Sequence, residues 1–99
     1  MITKQFTPKK TVCKATFTVP ADKATKSVAL LGDFNNWDPQ ADLLKKKKDA
    51  WETTVRLDAN AEYKFRYLID DAIWENDESA DAYVTNEFGT EDSVVTTTV

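Results

Sequence analysis

The sequence predicts an all-β sandwich, and three observations carry that expectation. Residues 11–19, 51–57 and 62–70 alternate apolar and polar side chains with a period of two. Turn-forming Gly, Pro, Asn and Asp recur between these stretches at short intervals. No segment carries the 3.6-residue period of an amphipathic helix. Short strands at close spacing, all needing to bury one face, pack as two sheets over one core.

Size and charge narrow the functions open to it. With 99 residues the chain can build one hydrophobic core and no second. Residues 1–10 read as a loose lead-in, closed by Pro8 and two lysines, and residues 11–99 as a single domain. The net charge of −4 disfavours nucleic acid and anionic membranes as partners. No apolar run approaches the ~20 residues of a membrane span, and residues 1–10 lack the apolar core of a secretory signal. One cysteine forms no internal disulfide and fits a reducing compartment, so a cytoplasmic location is expected. The absence of histidine removes the commonest general base and metal ligand.

The elements follow in order. In residues 11–19, Cys13, Ala15, Phe17 and Val19 share one side, with Thr and Lys on the other. That places Cys13 in the core rather than as a reactive thiol. Pro20 ends the strand, and a polar loop leads to the apolar run 28–31. Lysines 45–48 read as an exposed edge strand, where repeated positive charge discourages pairing with another sheet. They turn at Asp49-Ala50 into residues 51–57, whose Trp51, Val55 and Leu57 face the core. Asn60 supplies a left-handed turn residue. In residues 62–70, Tyr63, Phe65, Tyr67 and Ile69 form a core stripe, and Lys64 and Arg66 point outward. After the Asp70-Asp71 reversal come a short segment at Ile73-Trp74, a second at Tyr83-Val84 and a closing strand over 93–99. Gly32 and Gly89 both fall where turns with positive φ are expected.

The stretch VALLGDFNNWDP, residues 28–39, organises the rest. A buried strand runs into a turn dense in Asp and Asn that carries Trp37. A tryptophan in a polar turn is either a lid over the core edge or a flat face for a ligand. Machinery for catalysis is thin. Asp33 with Asp38, or Asp70 with Asp71, are carboxylate pairs of the kind that hydrolyse glycosides, but a small sandwich has little depth in which to shift a pKa. No phosphate loop or metal-ligand spacing occurs, so no cofactor and no metal are expected; a calcium site in the Asp/Asn turn lacks any known loop spacing. What remains is a surface of Trp37, Trp74 and Arg66. Sugars have an apolar C–H face and a hydroxyl rim, which aromatic rings and polar side chains read together.

GDFNNWDP, W-E-x-x-V-x-L, EYKFRYLIDD-x-x-W-E-N-D and YVTNEFGTEDSVV, in that order, resemble the family 48 carbohydrate-binding modules. That family includes the glycogen-binding domain of the AMP-activated protein kinase β subunit and the N-terminal domains of isoamylases and branching enzymes. The resemblance, spanning about residues 27–95, implies an immunoglobulin-like sandwich that recognises α-1,4-linked glucans. It implies a binding set of Trp37, Arg66 (or Lys64 in a register two residues earlier), Trp74, Phe88, Thr90 and Asp92. Asp92 stands where the family has asparagine, Asp71 replaces a turn glycine, and one residue is inserted before Trp74. The expected function is non-catalytic glucan binding. The alternative is a protein-interaction companion of a glycan-processing enzyme with weak or lost sugar affinity.

Overall fold

A computed structural model describes residues 1–99. Nine strands form two antiparallel sheets: β1 (Ile2–Phe6), β2 (Val12–Pro20), β3 (Val28–Gly32), β4 (Lys45–Lys46), β5 (Ala50–Asp58), β6 (Glu62–Ile69), β7 (Ile73–Glu75), β8 (Ala82–Thr85) and β9 (Glu91–Thr96). One sheet has the order β1-β2-β5-β4 and the other β3-β6-β9-β8, with β7 paired to β6. Setting aside β7 and β8, this is the A-B-E-D and C-F-G arrangement of the immunoglobulin sandwich. The only helical segments are single 3₁₀ turns at Ala21–Lys23 and Asp33–Asn35. No helix is long and apolar enough to cross a membrane.

The period-two stretches place the core where alternation requires. Cys13, Ala15, Phe17, Val19, Val28, Leu30, Trp51, Leu57, Phe65, Tyr67 and Ile69 are buried between the sheets, with Val55 and Tyr63 packed partly buried at the margin. Phe65 meets Phe17 and Tyr67 edge-on, at 5.1 and 5.7 Å between ring centroids, the geometry the ring quadrupole favours. The Lys45–Lys46 pair forms the edge strand of the β4–β5 hairpin.

Two expectations are corrected. Residues 2–6 are no loose lead-in, because β1 pairs antiparallel with β2, setting Ile2 against Phe17 and Phe6 against Cys13. Its middle inward position is Lys4, which a core strand could not accept. At this sheet edge Lys4 Nζ reaches Asp81 at 2.6 Å. Gly32 has φ −167°, an extended conformation open to any residue. Its constraint is space: an added Cβ would meet the Lys64 carbonyl oxygen at 2.7 Å and the Phe34 ring at 2.8 Å. Asn60 (φ 58°), Asp70 (52°), Asp71 (58°) and Gly89 (79°) do take the left-handed turn conformation.

Candidate functional site

Three pieces of chain meet on the outward face of the β3-β6-β9-β8 sheet. The first is the turn after β3. Asn35 braces it, accepting the Gly32 N–H at 3.0 Å and donating to the Leu30 carbonyl and to Asp42 Oδ2, both at 2.8 Å. Asn36 and Trp37 then both adopt positive φ, 58° and 56°. For a tryptophan this is an outlier that the surroundings must hold in place. They do so through Asp33. Its Oδ1 accepts the Trp37 indole N–H at 3.1 Å, and its Oδ2 accepts the Lys64 backbone N–H at 2.9 Å. One carboxylate thus fixes the ring, half-buried, against β6.

The second piece is β6 with β7. Alternation that turns Phe65 and Tyr67 inward turns Lys64 and Arg66 outward. Pairing of Leu68 with Trp74 brings that ring beside β6. Trp74 is 45% exposed, and the Arg66 guanidinium carbon lies 5.4 Å from its ring centroid. Arg66 Nε is shielded from solvent and has no hydrogen-bond partner.

The third piece is the turn between β8 and β9, organised by Asn86. Asn86 Oδ1 accepts the Phe88 and Thr90 N–H groups at 2.9 and 3.2 Å. Its Nδ2 donates to Thr90 Oγ1 at 2.8 Å and to Asp92 Oδ1 at 3.2 Å. Gly89 completes the turn, and Phe88 projects from it 83% exposed.

The three pieces surround an open cleft of about 650 Å³, with Trp37, Lys64, Arg66, Trp74, Phe88 and Asp92 among its lining residues. Five of the six residues named from the sequence are therefore neighbours. Thr90 is outside the lining, its hydroxyl engaged with Asn86. Asp92 is 7% exposed, so it offers the cleft an edge rather than a projecting side chain. Sequence reasoning missed Asn86 and the positioning role of Asp33. An asparagine two residues before Phe-Gly is a turn signal that could have flagged the first.

The remaining carboxylates have other duties. Asp70 accepts the backbone N–H groups of Lys26, Ser27 and Thr25 at 2.6, 3.1 and 3.1 Å. Those bonds, the Lys26 one foremost, lower its pKa to about 2. In a second cavity, of about 120 Å³, buried Asp77 accepts the Tyr67 hydroxyl at 2.6 Å and the Met1 ammonium at 2.7 Å. Burial, then the Asp77 charge, push the Tyr67 phenol well above its ordinary range. No group of three or more His, Cys, Asp or Glu side chains is placed to hold a metal ion.

A family model described as the glycogen recognition site of AMP-activated protein kinase matches residues 16–98. The match takes in every strand but β1 and the start of β2, and all three pieces of the cleft. No curated protein matches the chain.

Proposed function

The chain belongs to the family of the glycogen recognition site of AMP-activated protein kinase, and from that premise we propose that it binds α-1,4-linked glucans in the cleft, without catalysis. The observation that carries the reading is the grouping of Trp37, Trp74 and exposed Phe88 around Arg66 and Lys64. Three rings offer apolar faces for the C–H faces of successive glucose units, and the cations and the Asp92 edge address the hydroxyl rim. Arg66 Nε is shielded, so the terminal guanidinium nitrogens, which make no hydrogen bond within the protein, are the donors left to meet a hydroxyl. Each stacked ring gains little over water, and hydroxyl bonds only exchange with solvent. Affinity for maltoheptaose is accordingly set between about 1 μM and 1 mM. Glycogen, starch chains or maltooligosaccharides satisfy this chemistry equally, and a reducing, cytoplasmic setting suits the one buried cysteine.

One observation favours a second reading, a companion domain that docks on a glycan-processing enzyme. Asp92, tucked under Asn86, supplies a carboxylate where an amide donor would serve a sugar better. Affinity electrophoresis through gels of glycogen, amylopectin or dextran separates the two. Retardation by the α-1,4 polymers and not by dextran supports the glucan site, and equal mobility in all three refutes it. Incubation with maltooligosaccharides is expected to leave the product profile unchanged.

A further inference from the structure

The glucan proposed for the cleft is uncharged, yet the chain's charges are sharply segregated. Residues 1–20 and 45–58, which build the β1-β2-β5-β4 sheet, hold nine of the thirteen cations and three of the seventeen acids, a formal +6. The other residues hold four cations and fourteen acids, a formal −10. Of the nine cations only Lys4 is in a salt bridge. The register sharpens the pattern on the outward face. Lys14 stands directly opposite Arg56, a like-charge cross-strand pair that is destabilising in itself. Next along the strands, the Thr16 and Thr54 hydroxyls meet at 2.8 Å, and Thr18 faces Glu52, which also faces Lys45. Lys9 and Lys10 lie in the turn at the Lys14 end, and the lysine run lies at the Glu52 end. The acids on this face are Glu52 and Asp58, with Asp49 in the hairpin turn.

We propose that this outward face docks an acidic, extended segment of a partner protein, on the sheet opposite the cleft. Its middle pairs Lys14, Thr16 and Thr18 of β2 with Arg56, Thr54 and Glu52 of β5, and contains no aromatic or large apolar side chain. It therefore has nothing on which a nucleic-acid base would stack and nothing to insert into a bilayer. Cations and hydroxyls set at strand spacing instead match the carboxylates of an extended chain. Because the cleft side chains Lys64 and Arg66 leave the other sheet on its far side, both occupants are held at once.

The test is fluorescence anisotropy with a short fluorescein-labelled Glu/Ser peptide, alongside a single-stranded oligonucleotide and phosphatidylserine vesicles. The peptide is expected to bind saturably, more tightly at low salt, and with the same affinity when maltoheptaose is saturating. Lys14→Glu and Arg56→Glu, tested singly, each turn the like-charge pair into an opposite-charge one. Each is expected to raise thermal stability while weakening the peptide by about tenfold, and to leave glycogen retardation unchanged. Peptide affinity unaltered in both variants overturns the proposal. So does displacement of the peptide by maltoheptaose. Preferential binding of the oligonucleotide or the vesicles through the same two residues overturns the choice of occupant.

Discussion

The Arg66 guanidinium carbon sits 5.4 Å from the centroid of the Trp74 ring. A planar cation against an indole is attracted by the ring quadrupole and also limits the ring's tilt. In the glucan site proposed above, Arg66 thereby has two tasks, aligning Trp74 and donating to a sugar hydroxyl. Arg66→Ala is expected to weaken maltoheptaose binding by about 1–2 kcal/mol, the scale of a charge-assisted hydrogen bond. Arg66→Lys keeps the charge and loses the flat stack, so calorimetry should place it between the wild type and the alanine variant.

Trp37 is tied down by Asp33 rather than by the core. Trp37→Ala should abolish measurable binding and leave the melting temperature close to that of the wild type. Trp51→Ala, which removes a buried ring, should unfold the domain. Asp33→Asn keeps one acceptor oxygen for two donors, so it should loosen the ring and weaken binding more than stability. Tryptophan fluorescence titrated with maltoheptaose, paired with thermal denaturation, reads both. A Trp37→Ala protein that unfolds would make this residue a lid.

Asp92→Asn is expected to tighten glucan binding. The asparagine oxygen can still accept from Asn86 Nδ2, 3.2 Å away in the wild type, and its amide adds a donor at the cleft edge. Unchanged or weaker retardation in glycogen gels would count against a sugar contact at this position.

The strands were legible wherever alternation met a full core, as at Phe17, Phe65 and Tyr67. β1 was not, because its inward Lys4 breaks the apolar pattern and finds Asp81 only through the fold. Trp37, Arg66, Trp74 and Phe88 were legible through their resemblance to a binding family. That they line one cleft was not, since it depends on the Leu68–Trp74 register and on the turn that Asn86 ties. Thr90, named with them, stands outside the lining with its hydroxyl engaged by Asn86. A threonine beside a turn asparagine bonds locally before it can face a ligand.

Gly32→Ala tests close approach rather than φ. The added methyl would press on the Lys64 carbonyl, backbone that cannot swing aside. A loss of about 1–3 kcal/mol is expected in urea denaturation, the range of overpacking.

Acid should find Asp70. Its carboxyl group, with a pKa of about 2, accepts from the loop at residues 25–27 more strongly ionised than protonated. A depressed native pKa gives stability that is present above the ordinary value of 3.8 and lost as pH falls through about 2. Asp70→Asn keeps the left-handed turn but drops the charge. It should be less stable than the wild type at neutral pH, with the difference closing between about pH 4 and pH 2. A constant difference across that window would assign the loss to something other than this ionisation.

Cys13, wholly shielded between Phe6 on β1 and Leu57 on β5, has a consequence for how the molecule comes apart. Burial pushes its thiol up, so the native form presents neither access nor thiolate to an electrophile. A disulfide reagent can react only after β1 has peeled away or the whole sandwich has opened. The rate of thiol labelling is thus a clock for those openings, and its urea dependence tells them apart: shallow for the edge strand alone, steep for the entire domain.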